Sequence, residues 1–192
     1  MVDVVAAVLA AAAGIKNLGY RVSAMSKRAA IAIGSNLGDR LGNLQMARDR
    51  IRSLDGVTLP TAQSAVYETS PVDCEAGAPK FYNAVIEIGF EKSADELLEA
   101  LQEIERALGR EANRRHNVSR TIDLDLLYFG SEERAEASLQ LPHPRMTERK
   151  FVLQPLCDIA PDLRLPGQTR NVGELLAELP EQGKITRLMD TW

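Results

Sequence analysis

Cysteine and histidine are scarce in this chain, two of each in 192 residues. Cys74 and Cys157 lie far apart with no histidine cluster beside them, which excludes a disulfide framework or a zinc site of ordinary spacing and fits a reducing cytoplasm. Aromatics amount to only 5% and the formal net charge is -4. A broad basic coat and an aromatic-studded sheet for nucleic acid are therefore both missing, and any anion site has to be local. Long hydrophobic runs are absent too. The Ala-rich stretch from Val4 to Ile15 is too short to cross a bilayer, carries Asp3 and lacks the positive start of an export signal, so it reads as a helical extension. No internal repeat or low-complexity tract stands out. What remains, 45% hydrophobic and 26% charged, suffices for one domain with a real core, expected over 28–192 behind an extension over 1–27.

Within that domain the periodicity alternates. Ala29 to Ile33 reads as a strand, stopped by Gly34-Ser35-Asn36-Leu37-Gly38. That turn has neither the Lys-Ser/Thr ending of a Walker motif nor dinucleotide spacing, so its role is structural. A helix follows, with Asp39 as cap, Leu41, Leu44, Ala47 (or Arg48), Ile51 and Leu54 as its apolar stripe and Gly56 as its stop. A second strand runs from about Thr58 to Thr69, a loop from Val72 to Lys80, and a third strand from Phe81 to Phe90. Ser93 and Glu96 make a capping box for a helix that buries Leu97, Leu101, Ile104 and Leu108 before Gly109 ends it. A fourth strand, Arg120 to Phe129, completes the order βαββαβ. That order defines an α+β, ferredoxin-like sheet with its helices on one face. Additional C-terminal elements follow: the rigid turn Leu141-Pro142-His143-Pro144, a short helical piece, connections at Pro155, Pro161 and Pro166, and a small helix from Val172 to Leu179. These are expected to close one side of the sheet.

The fourth strand carries the chemistry. Successive side chains of a strand alternate between faces, so Asp123 and Asp125 share one face while Ile122, Leu124 and Leu126 share the core face. Like charges side by side on a half-buried surface are costly unless a cation sits between them. Mg²⁺ suits such a pair, because its sites commonly offer one or two carboxylates and leave substrate phosphates and water to complete the shell. Just upstream, Arg110, Arg114, Arg115, His116 and Arg120 crowd a stretch whose only acid is Glu111. Phosphates need cations and the cations need carboxylates, so the two features belong together. The crowded loop is expected to gain order when phosphates arrive.

Taken together, Ile33-Gly34-Ser35-Asn36-Leu37-Gly38-Asp39, Tyr67-Glu68-Thr69-Ser70-Pro71-Val72, Phe81-Tyr82-Asn83-Ala84, Glu103-Ile104-Glu105 with Gly109-Arg110, Arg120-Thr121-Ile122-Asp123-Leu124-Asp125 and Leu141-Pro142-His143-Pro144 resemble the hydroxymethyldihydropterin pyrophosphokinases of folate biosynthesis. The resemblance, from about Arg28 to Leu165, implies a cytoplasmic enzyme that moves pyrophosphate from ATP to the hydroxymethyl group of 6-hydroxymethyl-7,8-dihydropterin and releases AMP. It implies two Mg²⁺ ions on Asp123 and Asp125, with Arg110 and Arg120 beside the reacting phosphates. ATP would be met by Gln102, Glu105, Arg110, Arg120, Leu126, His143 and Arg149. The pterin would be met by Thr69, Ser70, Val72, Phe81, Asn83 and Phe151. Nucleic acid and membrane are not expected partners, and association with neighbouring folate-pathway enzymes stays open.

The chain also departs from that pattern. Ala112 stands where the family often has Arg, and His116-Asn117 and Ser119 replace an Arg-Trp pair and a Pro, so closure over the site is expected to be made differently. Two other classes compete: a palm-type two-metal nucleotidyltransferase, which would need a template surface or further domains, and a non-catalytic ferredoxin-like RNA-binding module, which the low aromatic content and acidic balance disfavour.

Overall fold

The computed structural model describes residues 26–71, 77–109 and 119–192, without the side chains of 59 and 60. Its elements run β1 (Lys27–Ser35), α1 (Arg40–Arg52), β2 (Val57–Gln63), β3 (Val66–Thr69), β4 (Phe81–Phe90), α2 (Ala94–Ala107) and β5 (Asp123–Phe129). A small hairpin of β6 (Arg134–Ala135) and β7 (Gln140–Leu141) follows, then a single 3-10 turn (Met146–Glu148), α3 (Lys150–Ile159), α4 (Val172–Glu178) and β8 (Ile185–Met189). The main sheet has the order β5-β1-β4-β3-β8, with β2 also on β4, and every pairing in it is antiparallel. This is the ferredoxin-like order with one strand added at its edge.

Local signals explain the two long helices. The Asp39 carboxylate accepts the Gly42 N–H at 3.0 Å and so caps α1, while Ser93 and Glu96 form the capping box of α2. Both lay their apolar stripes on one face of the sheet, where Leu44, Ala47, Ile51, Leu97, Leu101 and Ile104 meet Ile31, Ile33, Ile86, Ile88, Leu124 and Leu126. The opposite face is covered by the late elements, with Val152, Leu153, Leu156, Val172 and Leu175 packed on Ala30, Val85, Leu127 and Tyr128. Strand β5 serves both cores because Ala30 pairs with Tyr128 while Ile31 pairs with Leu126, leaving Leu127 as an extra, bulged residue that resets the alternation.

Three features differ from the sequence-based expectation. The second strand is two strands, interrupted at Ser64-Ala65. The buried Ser64 hydroxyl accepts the Val85 N–H at 2.9 Å and donates to the Ala65 carbonyl at 2.7 Å, so a side chain replaces the ladder at the break. Pro155 lies inside α3 rather than in a connection. The helix tolerates the lost N–H bond because Val152, Leu153, Pro155 and Leu156 are all buried against the sheet. Finally, β8 carries no alternating pattern, since as an edge strand it has exposed residues through its middle, and only its pairing with β3 reveals it.

One polar cluster fastens these late elements to the sheet. Asp158 of α3 accepts the Tyr67 hydroxyl at 2.9 Å and the Ala65 N–H at 3.1 Å, and Arg187 of β8 donates to Asp158 at 3.0 Å. Burial and the Asp158 bond both raise the Tyr67 pKa, so the phenol stays a donor. Replacing Asp158 by Ala leaves a main-chain N–H and a phenol without their acceptor in a half-closed site, and we expect a loss of about 2 kcal/mol in unfolding free energy. Urea titration measures it. Asp190→Ala, which removes only an exposed partner of Arg187, should cost clearly less.

Candidate active site

Cross-strand partners share a face of a sheet. Asp123 of β5 faces Gly34 of β1, Gly34 faces Asn83 of β4, and Asn83 faces Tyr67 of β3, so these residues form one row on the α3 side. A Cβ on Gly34 would lie 3.0 Å from Asn83 Oδ1, 3.9 Å from Asp123 Cβ and 4.0 Å from Phe81 Cδ1. The missing side chain keeps open a floor that joins the acidic pair to the polar pocket beside it.

On the pocket side, Asn83 donates from Nδ2 to Thr69 Oγ1 at 2.7 Å, and both side chains are buried. Phe81 stands two residues along β4 and so presents its ring to the same face. The Ser70 N–H is held by the Lys184 carbonyl at 3.0 Å. On the acidic side, Arg120 and Asp123 form a 2.7 Å ion pair, both half-buried. Burial alone would lower the Arg120 pKa, but the charges of Asp123, Asp125 and Glu105 outweigh it and raise it further. Glu105 is buried and accepts the Leu124 N–H at 2.7 Å, which pins the outer edge of β5 to α2 between the two aspartates. Gln102 sits half-buried one turn earlier on α2, and the Leu126 side chain points into the core, leaving only its main chain for a ligand.

The segment after the fold's core supplies a third wall. The His143 N–H donates to the Leu127 carbonyl at 2.8 Å, two residues beyond Asp125. Its Nδ1 accepts the Arg145 N–H at 3.3 Å, which puts the proton of the neutral ring on Nε2. Burial, then the positive charges of Arg149 and Arg145, push the His143 pKa down to about 4 against the pull of Asp123. Arg149 lies over the Phe151 ring, 5.4 Å from its centroid, at the start of α3. Arg110 and Val72 lie outside the described residues, as does most of the basic loop.

Two residues that sequence reasoning passed over hold this arrangement. Asn36, buried, accepts the Arg120 N–H at 2.7 Å, donates its own main-chain N–H to the Arg120 carbonyl at 3.2 Å and reaches Ser119 Oγ at 3.1 Å. Asn43 donates to Ser35 Oγ at 3.2 Å and to the Thr121 carbonyl at 3.1 Å. The Gly-rich turn is thus a structural latch on the approach to β5. A sign of it was visible, because Asn43 sits one turn before Ala47 on the buried side of α1.

Among the described residues no group of three or more Asp, Glu, His or Cys makes a metal cage. Two half-exposed carboxylates on one face do fit a hard cation whose other ligands are water and phosphate oxygens. A substrate-bridged ion suits this donor set, and a zinc site does not.

The model of the 7,8-dihydro-6-hydroxymethylpterin-pyrophosphokinase family matches residues 30–161. The chain belongs to this family. A Pseudomonas aeruginosa 2-amino-4-hydroxy-6-hydroxymethyldihydropteridine pyrophosphokinase is 41% identical over 164 residues, covering 85% of this chain and 98% of the relative. The Bacillus subtilis protein of the same name is 44% identical over 135 residues, 70% of this chain and 79% of the relative. Among solved structures, wild-type Plasmodium falciparum HPPK-DHPS with SDX-DHP aligns with a TM-score of 0.63 at 12% identity, over 80% of this chain and 44% of that one. That likeness supports the fold, and the chain spans less than half of the solved protein.

Two outcomes follow from this geometry. Gly34→Val fills the floor between Asn83 and Asp123, and turnover should fall on the order of a hundredfold, with a loss of about 1–3 kcal/mol in stability and the protein still folded. A variant that keeps full turnover removes the floor from the site. For His143, a folded pKa near 4 against an ordinary 6.5 means that the unfolded chain takes up the proton first as pH falls. Its contribution to stability is therefore complete above about pH 6.5 and drains away as pH drops toward 4. Unfolding titrations of wild type and His143→Asn across that window should diverge, the variant having the shallower pH dependence.

Proposed function

We propose that this family member transfers a diphosphoryl group from ATP to the hydroxymethyl oxygen of 6-hydroxymethyl-7,8-dihydropterin, releasing AMP on the way to tetrahydrofolate. The observation that carries this reading is the row Asp123-Gly34-Asn83, which sets a phosphate-facing carboxylate and a buried carboxamide on one face with only a glycine between them. In the reaction, the pterin hydroxyl oxygen forms a bond to the β-phosphorus and its proton goes to water, while the bridge from β-phosphorus to the α-phosphate oxygen breaks and AMP leaves.

Each residue has work that its geometry allows. Asn83 has spent one N–H on Thr69, so its Oδ1 and second N–H remain for the donor and acceptor edge of a pterin. Phe81 and Phe151 offer rings to the two faces of the heterocycle. The Nε2–H of a neutral His143, with Arg120 and Arg149, supplies donors to phosphate oxygens, and their fixed positions lower the reorganisation needed as charge shifts. Phosphoryl transfer is mainly positioning and charge stabilisation, so a strongly basic side chain is not required. Mg²⁺ held by Asp123 and Asp125 would neutralise and orient the phosphates when bound with the nucleotide.

Family membership leaves the palm-type transferase and the RNA-binding module without support. We propose a cytoplasmic enzyme, as its two widely spaced cysteines suggest; separately, no helix among the described residues is long and apolar enough to cross a membrane. Folate synthesis bifunctional proteins of Arabidopsis thaliana contain a matching segment, 40% identical over 129 residues in one case, which supports proximity to another folate enzyme.

Asp123→Ala and Asp125→Ala should each lower turnover by on the order of a hundredfold or more. Asp123→Ala also breaks the ion pair with Arg120, so its ligand-free melting temperature should fall modestly while the protein still folds. AMP release from ATP, Mg²⁺ and the pterin alcohol is the measurement, and near-normal release by either variant takes the acidic pair out of the mechanism.

A further inference from the structure

Helix α3 begins without a cap of its own. Arg149, at its N-cap position, makes no side-chain capping bond, and the first turn has no acidic residue. An open helix N-terminus leaves main-chain N–H groups that need an acceptor. Here one acceptor comes from far along the chain: Gln182 Oε1 takes the Lys150 N–H at 3.0 Å. The same carboxamide turns its Nε2 to the Glu148 carbonyl at 2.6 Å. One planar group therefore bonds the residues on both sides of Arg149 and fixes the peptide frame from which Arg149 and, two residues further on, Phe151 are aimed.

The anchor of Gln182 is equally specific. Two residues on, the Lys184 carbonyl accepts the Ser70 N–H at 3.0 Å, and from Ile185, which pairs with Thr69, β8 runs along β3. A Cβ on Gly183 would lie 3.4 Å from Ser70 Cβ, so the connection passes closely over the end of β3. Thr69, Ser70, Lys150, Phe151, Gln182 and Ile185 then enclose a narrow cleft. A continuous path of bonds runs from the polar wall that holds Asn83, through Lys184 and Gln182, to the helix end that bears Arg149 and Phe151. Gln182 lies beyond residues 30–161, the part of the chain that the family model matches.

We propose that Gln182 is a positioning residue for the diphosphoryl transfer, acting through the main chain around Arg149 to set the Phe151 ring against the pterin. This rests on the pyrophosphokinase reading above. Gln182 does not touch the reacting atoms. Its effect is to spare the substrate the entropy of ordering the 148–151 frame, so its loss should appear in substrate affinity more than in the chemical step.

The test is steady-state kinetics, with melting curves, on the full chain as wild type, Gln182→Ala and Gln182→Glu. Gln182→Ala should raise KM for the pterin roughly tenfold and KM for ATP less, with kcat within about threefold of wild type. Gln182→Glu keeps an acceptor for the Lys150 N–H but has no donor for the Glu148 carbonyl, and its pterin KM should fall between the two. Unchanged KM values in both variants, or a lower melting temperature with unchanged KM, overturn the positioning role while leaving the activity in place. Should Gln182→Ala fail to fold, the pterin KM of Gln182→Glu decides, a value equal to wild type overturning the proposal. A wild-type chain that releases no AMP would instead overturn the pyrophosphokinase reading itself, and the positioning role with it.

Discussion

The site depends on the register of β1 between its two antiparallel neighbours. Because the side-chain period of a strand is two, a slip of one residue on either flank would turn Asp123 or Asn83 to the opposite face and bury it among the leucines and isoleucines under α1 and α2. That register is held from the core side, where Ile31, Ile33, Leu124 and Leu126 have no exposed alternative. The apolar half of the sheet thus fixes where the polar half meets its ligands. The same pairing explains why a glycine stands at position 34: any side chain there would occupy the space between Asn83 and Asp123.

Holding two carboxylates on a half-buried strand has a cost, and the surroundings offset it without burying the acids. Arg120 balances Asp123 directly, and Asn36 and Asn43 fix the main chain that carries Arg120 and Thr121. Glu105 spends its carboxylate on the Leu124 N–H, so a third negative charge close to the pair is tied to structure rather than offered to a cation. The result is an acidic pair whose nearest counter-charge is a guanidinium on a main chain that is itself held in place.

Much of this was legible in the sequence, for reasons that particular elements make clear. The capping residues Asp39, Ser93 and Glu96, the apolar stripes of α1 and α2 and the alternation around Asp123 all act within a few residues, and the structure places each as read. The core sheet order followed from them. The break at Ser64-Ala65 was hidden because it depends on a hydroxyl bonding across to β4, and the helical setting of Pro155 because burial on the sheet outweighs one missing N–H. Edge strand β8 escaped because nothing in Ile-Thr-Arg-Leu-Met alternates. For the candidate site, the chemistry-bearing residue types stood out in the sequence, whereas those that position them, Gly34, Asn36 and Gln182, gave only weak signals: their roles are contacts across the chain that spacing cannot express.

The two faces of the sheet consequently divide the labour. The face under α1 and α2 is built from early, locally signalled elements and supplies the rigid register. The face under α3 and α4 is built late: α4 has its own capping box from Asn171 and Glu174, whereas α3 has no side-chain cap and is fastened by polar contacts at Asp158 and Gln182. Phe81 is on the central strand β4 and Phe151 is on the first turn of α3, so the two candidate ring walls are set by different devices, one by sheet register and the other by the Gln182 carboxamide that bonds on both sides of Arg149.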